Sequence, residues 1–311
     1  MVFTYVDAIN LDSKYELPKM QDILSNFNSS EDLPGNLRIQ LTDYCNENCF
    51  FCHNEGSENK HRLINENLMW KIINSSLKLS KQKIVFTGGE PTLHPKFSEY
   101  IIKLRKDAPN SEITVTTNGT TLENIPSILF EKINKLNVSV HSLVESKYTK
   151  ITNKNLLHKT LLGLDKVSKY KQLKVFINIV VGKNNLTEVE NFVEHFAKMN
   201  FKINILDIIG KNQQKIPWNK LNLEIEKIKK KYGITNDAIK LKPKIYHSKC
   251  NKCNFANICG EGEYLRVSVD SKLVPCMYRP DLMQPISLND DEDTLTRKVA
   301  LGFRRIEYDN I

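Results

Sequence analysis

From Asn36 onward the chain alternates short runs rich in β-branched and aromatic residues with longer segments of helical period, and this alternation restricts the fold more than any other feature. Strands are predicted over 37–42, 83–87, 112–117, 136–140, 173–181 and 203–209, and helices over 64–79, 95–107, 122–134, 155–170 and 186–199. Strand and helix in regular succession mean parallel strands joined by right-handed crossovers. Six such units are too few to close an eight-stranded barrel, so the fold class is α/β, an open, TIM-like partial (β/α)6 barrel with its site at the carboxyl ends of the strands.

At 311 residues the chain is long enough for one large domain and a small appendage. The Lys-rich stretch 220–232 reads as an amphipathic linking helix, with Leu221, Leu223, Ile225 and Ile228 as its apolar positions. Beyond about Tyr246 a second group of cysteines begins a different module. The expected organisation is an N-terminal extension (1–35), a barrel core (36–212), a helical linker (213–245) and a small cysteine-bearing domain (246–311). The first twenty residues lack a basic start and an apolar stretch, and no window approaches the roughly 18 apolar residues of a membrane span. A cytoplasmic protein without a membrane partner is therefore expected. A net charge of +9 favours an anionic partner, although the 45 Lys and Arg are spread along the chain, as a solvated basic surface would have them.

The seven cysteines fall into two groups, three within 45–52 and four within 250–276, with none between. In an intracellular chain such grouping reads as metal ligation rather than a disulfide framework. Cys45, Cys49 and Cys52 have the spacing C-x3-C-x2-C directly after the first predicted strand. Three thiolates on a four-iron four-sulfur cluster leave one iron open to an outside ligand. Zinc is the alternative, with His53 or His61 as a fourth ligand, but zinc sites often draw their ligands from two pairs.

Three further motifs follow at successive strand ends. Gly88-Gly89-Glu90-Pro91 closes the second strand, where glycines let the backbone approach a ligand and Glu90 is suited to an ammonium group. By itself it is equally a strand-to-helix turn. Thr116 and Asn118, in the TTNG that ends the third strand, are placed to reach a ribose or carboxylate, and Ser139 ends the fourth. His141, two residues on, is given no role, because a lone histidine there is more often structural.

Taken together, C-x3-C-x2-C with an aromatic (Phe51) before the third cysteine, then GGEP, TTNG and NVS, resembles the radical S-adenosylmethionine superfamily over about 36–210. LRIQLTDYCN and CHNEG look especially like the GTP 3',8-cyclase (MoaA) family. The resemblance implies a four-iron four-sulfur cluster on Cys45, Cys49 and Cys52. It further implies S-adenosylmethionine on the open iron, helped by Phe51, Gly88, Gly89, Glu90, Pro91, Thr116, Asn118 and Ser139. Reduction of the cluster, by a donor such as flavodoxin or ferredoxin, then yields a 5'-deoxyadenosyl radical that takes a hydrogen atom from the substrate.

The second group, Cys250, Cys253, Cys259 and Cys276, reads C-x2-C-x5-C-x16-C and satisfies either a structural zinc or a second cluster. A hairpin, YLRVSV and LVPC around Asp270-Ser271-Lys272, precedes the last cysteine. This arrangement resembles the SPASM and twitch families, which implies an auxiliary four-iron four-sulfur cluster on four cysteines. The cyclases ligate theirs with three, so a fully ligated cluster suits electron transfer rather than substrate binding.

Arg38 and Arg266 are retained as candidate substrate residues. The arginine expected three residues before GGEP is Val85, however, and the lysine expected in the fifth strand is Phe176. Losing two charge-assisted contacts costs about 1.5–3 kcal/mol each, which disfavours a triphosphate in the same pose. The expected activity is oxidation, epimerisation or bond formation on a small molecule or peptide other than GTP. The alternatives are the GTP cyclase itself, or a nucleotide-acting paralogue, and a zinc-bound nucleic-acid-binding protein.

Overall fold

The structure, a computed structural model, describes residues 17–25, 28–30, 33, 35–52, 60–208, 213–235, 238–242, 264–276 and 280–307. Its strands are β1 Asn36–Gln40, β2 Lys83–Thr87, β3 Glu112–Thr117, β4 Lys135–Ser139, β5 Lys174–Val181, β6 Lys202–Asp207, β7 Ile239–Lys242, β8 Tyr264–Val267, β9 Lys272–Val274 and β10 Gln284–Pro285. All lie in one sheet, in the order β10-β9-β8-β1-β2-β3-β4-β5-β6-β7. Every pairing from β8 through β1 to β7 is parallel, and β9 and β10 add antiparallel turns at one edge. Among the described residues β7 and β10 stand at the two edges, giving an open partial barrel of the expected class.

The helices are α1 Met20–Ile23, α2 Glu66–Lys78, α3 Phe97–Asp107, α4 Ile128–Lys132, α5 Glu145–Thr152, α6 Leu157–Val167, α7 Val189–Lys198, α8 Trp218–Tyr232 and α9 Glu292–Glu307. Helix α2 shows how local sequence builds the crossovers. The Asn65 side chain accepts a hydrogen bond from Leu68 N–H at 3.0 Å, capping the first turn, and Leu68, Met69, Ile72 and Ile73 bury one face. Ile84 and Phe86 of β2, Ile113 and Val115 of β3 and Leu136 and Val138 of β4 receive such faces in one continuous core. Alternate strand residues point the other way, into the barrel lumen.

The structure departs from the sequence expectations in several places. The helix expected over 122–134 is a 3-10 turn at Leu122–Asn124 and then α4. Pro126 explains the break, since it offers no N–H and holds Ile125 extended at φ −69°, ψ 132°. Helix α5 and strand β7 were not anticipated. Helix α8 buries Leu221, Ile225 and Ile228 and is the crossover from β6 to a seventh parallel strand, β7, while Leu223, expected on its apolar face, is 61% exposed. The hairpin before Cys276 is present as β8 and β9, yet β8 pairs with β1 of the barrel itself, Arg38 opposite Arg266.

Helix α9 covers that junction. Leu295, Val299 and Phe303 are buried, and the buried Arg304 donates to the carbonyls of Asp22 and Ile23 at the end of α1. Among the described residues, no helix is long and apolar enough to cross a membrane. Removing the α2 cap with Asn65→Ala is expected to cost about 1 kcal/mol, read as a lower urea midpoint at unchanged slope.

Candidate functional site at the carboxyl ends of the strands

The loops leaving β1, β2 and β3 are joined by their backbones. Leu41 N–H donates to the Thr87 carbonyl at 2.8 Å, Gly89 N–H to that of Thr42 at 2.7 Å and Glu90 N–H to that of Tyr44 at 2.7 Å. A side chain on Gly88 would place its first carbon 2.5 Å from the Thr42 oxygen, and one on Gly89 would run into the Tyr44 carbonyl. The paired glycines thus serve the close approach of two protein loops, where the sequence suggested approach to a ligand.

Cys45, Cys49 and Cys52 lie on the first loop as free thiols, with Cys45 and Cys49 half-buried and Cys52 exposed at the rim. The loop is pinned from outside: Asn48 N–H donates to the Thr152 carbonyl at 2.8 Å and Phe50 N–H to that of Ile151 at 3.2 Å, both at the end of α5. Burial pushes the Cys45 thiol up to about 12, and raises Cys49 as well, where the neighbouring Glu47 carboxylate and the other two thiols add to it. Such thiols ionise only against a strongly cationic partner, so the donor set fits an iron-sulfur cluster, whose irons supply that charge.

Glu90 is fully buried, and burial raises its pKa against the pull of its hydrogen bonds. Its Oε1 accepts from Thr92 N–H and hydroxyl and from Thr117 at 2.7 Å, and its Oε2 accepts from Asn118 N–H at 2.6 Å. The carboxylate expected to face an ammonium is therefore a strut between the second and third loops. Asn118 is also turned inward. Its Nδ2 donates to Asn46 Oδ1 at 2.8 Å and lies 3.9 Å from the Cys45 sulfur, and its Oδ1 accepts from Thr120. It wires the third loop to the cysteine loop. Pro91 opens the short helical turn after Glu90.

Thr116 and Ser139 face the lumen at the ends of β3 and β4, and the Thr116 hydroxyl accepts from Asn137 at 3.3 Å. Phe51 packs edge-on against His141, ring centroids 4.7 Å apart. His141 is buried, its Nδ1 accepts from Val180 N–H at 3.2 Å, and burial lowers its pKa to about 3. It is a neutral structural residue, as expected of a histidine in this setting.

Two supports escaped the sequence reading. Asp43, 1% exposed, receives the Arg62 backbone N–H and its Nε, both at 2.7 Å, and so ties the two limbs of the cysteine loop together. Glu47, inside the cysteine motif, accepts from the buried Tyr148 of α5, and burial raises its pKa to about 7. Both acids looked like ordinary loop residues, and no local pattern distinguishes them.

Arg38 and Arg266 sit side by side in the lumen, with the Arg38 Nη2 donating to Thr87 at 3.0 Å and its guanidinium 5.5 Å over the Tyr264 ring. Cys276 follows β9, and continuing the β8–β9 register sets it level with Tyr264, at the amino ends of the strands. That is the mouth opposite Cys45, Cys49 and Cys52. Cys250, Cys253 and Cys259, and likewise His53, lie outside the described residues.

Gly89→Ala is expected to destabilise the chain by about 1–3 kcal/mol through the clash with the Tyr44 carbonyl, measured by urea unfolding. An unchanged midpoint would show that the two loops separate freely.

The family model of the radical SAM superfamily matches residues 39–196, just over half of the chain. A probable GTP 3',8-cyclase of Sulfurisphaera tokodaii is 28% identical over 259 residues, covering 79% of this chain and 82% of its own length. The GTP 3',8-cyclase of Thermodesulfovibrio yellowstonii is 29% identical over 276 residues, covering 81% and 84%. Among solved structures, SuiB of Streptococcus suis bound to the precursor peptide SuiA aligns at TM-score 0.65 and 15% identity over 89% of this chain. This chain spans only 65% of the length of SuiB. The enzyme anSMEcpe with bound AdoMet aligns at TM-score 0.59 and 18% identity, covering 79% of this chain and 74% of its own length. Both structures share the fold, and the family match, which spans the cysteine, GGEP and TTNG loops, carries the conclusion: the chain belongs to the radical SAM superfamily, as an enzyme that carries a four-iron four-sulfur cluster and uses S-adenosylmethionine.

Proposed function

We propose that this enzyme cleaves S-adenosylmethionine at a cluster held by Cys45, Cys49 and Cys52 and acts on a small molecule other than GTP. The single observation that supports the first half is the loop itself: three thiols, two of which burial keeps from ionising alone, on a segment pinned by α5, by Asp43 and by the Gly88-Gly89 crossing. When bound, the cluster supplies the electron that splits the sulfonium and releases the 5'-deoxyadenosyl radical. The chain's own part is to hold the thiolates, to keep the three loops in register through Glu90 and Asn118, and to present Thr116 and Ser139 to the ribose side of the cofactor. Phe51 and the neutral His141 form a wall that carries no positive charge at neutral pH.

For the substrate, the lumen carries the argument. Val85 and Phe176, where the cyclase pattern has an arginine and a lysine, are both buried and face the cavity rather than the main apolar core. In the same reading Cys276 joins Cys250, Cys253 and Cys259 in holding an auxiliary cluster that assists electron transfer, which the grouping of these four cysteines in the sequence supports. The second reading, GTP cyclisation, is favoured by the names of the curated relatives.

Anaerobically purified protein is expected to contain about eight irons, and about four after Cys259→Ala. Four irons in the unmodified chain would remove the auxiliary cluster. Reduced enzyme is expected to release 5'-deoxyadenosine from S-adenosylmethionine, with Cys49→Ala abolishing the release and GTP left unconsumed. Cyclised GTP would establish the second reading, and an intact cluster that releases nothing would end the first.

A further inference from the structure

Strand register sets two asparagines side by side in the lumen. Ser139 of β4, Asn178 of β5 and Asn204 of β6 occupy one row across the sheet, on the face opposite to the core that Ile177, Ile179, Ile203 and Ile205 help to build. On the same face Phe176 and Val180 flank Asn178, and Lys202 and Leu206 flank Asn204. The ammonium of Lys135 stands 4.2 Å from the centre of the Phe176 ring and that of Lys202 5.8 Å, so both lysines are turned to the ring. The two carboxamides are framed by Phe176 towards the amino ends and by Val180 and Leu206 towards the carboxyl ends.

Asn204 is 1% exposed. Its Nδ2 donates to Asn178 Oδ1 at 2.8 Å, while its own Oδ1 is buried and meets no donor among the described residues. The Asn178 Nδ2, on a half-buried side chain, meets no acceptor among them. Turning the amides end for end does not help. If both rotate half a turn, the bond between them re-forms in reverse, and the Asn204 amino group then lacks an acceptor on the buried side. A buried polar end left unmatched costs about 1–3 kcal/mol. A leucine of similar shape at position 204 would avoid that cost, so the fold by itself does not call for an amide there.

In either setting the pair offers a ligand one acceptor and one donor, without net charge. A carboxylate would set its lone pairs against the Asn204 Oδ1, and an ammonium would leave the Asn178 N–H unanswered. A ligand amide, which carries both an N–H and a C=O, answers the two together. Between apolar neighbours a mismatch is costly, because it strands buried polar groups. We infer that Asn178 and Asn204 are specificity-determining residues that receive an uncharged amide group of the substrate, a carboxamide or a peptide bond. This rests on the proposed function in taking the lumen as the substrate side, and it gives that reading a substrate class.

The test is equilibrium dialysis of cluster-loaded protein, with S-adenosylmethionine present, against radiolabelled propionamide, N-methylacetamide, propionate and 1-propanol. At least one of the two amides is expected to bind at least tenfold more tightly than propionate and 1-propanol, and the tighter amide tells a carboxamide from a peptide bond. Asn204→Leu is expected to abolish the preference while keeping or raising the urea midpoint and leaving the affinity for S-adenosylmethionine unchanged. Asn178→Leu serves for the binding measurement if Asn204→Leu does not fold. The inference is overturned if the parent protein shows no amide preference, if the variant retains it, or if S-adenosylmethionine affinity falls with it, which would assign the pair to the cofactor. Release of 5'-deoxyadenosine by the parent protein is followed in the same samples. Its absence with amide binding intact counts against the radical reading alone, and its presence without amide preference counts against this inference alone.

Discussion

The contact on which the site depends is the crossing of two backbones, residues 41–44 against 87–90. Three N–H to carbonyl bonds join them, and two glycines bring them closer than any side chain would allow. A loop carrying three ligands would otherwise sample many conformations, and ordering it would cost backbone entropy at every residue. Here the second strand, itself locked between β1 and β3, lends the cysteine loop its rigidity. Glu90 extends the same bracing sideways to Thr117 and Asn118, and Asn118 returns it to Asn46 and the Cys45 sulfur.

This bracing assigns different work to residues that look alike in the motif. Glu90 and Asn118, the most polar members of their loops, are spent on joining loops to each other. Thr116 and Ser139, less conspicuous, face the lumen. The chemistry of the site is therefore divided by depth: buried polar groups hold the loops, and half-buried ones meet whatever enters. Glu47 and Tyr148 repeat the pattern on the far side of the cysteine loop, where a buried acid is matched by a helix residue a hundred positions away.

The two mouths of the barrel carry different side chains. The carboxyl mouth gathers thiols and carboxylates, and the amino mouth gathers Arg38, Arg266, Lys135 and Lys202, with Cys276 beside it. Val85 and Phe176, level with Arg38 and Lys202, make this wall apolar at two positions where the related cyclase pattern is cationic.

What the sequence settled by itself was whatever local chemistry decides: the alternation of strand and helix, the ligand spacing of Cys45, Cys49 and Cys52, and the glycine requirement after β2. These need only propensity, periodicity and short-range sterics. Tertiary structure alone decided which side chains meet. No spacing pairs Asp43 with Arg62, Glu47 with Tyr148 or Lys135 with Phe176, because each partnership comes from the register of parallel strands and the lean of a helix against them. The same holds for β8, whose sequence reads as part of a separate hairpin. Its place beside β1 follows from an exposed strand edge that had to be paired, and strand pairing between distant segments leaves no local trace.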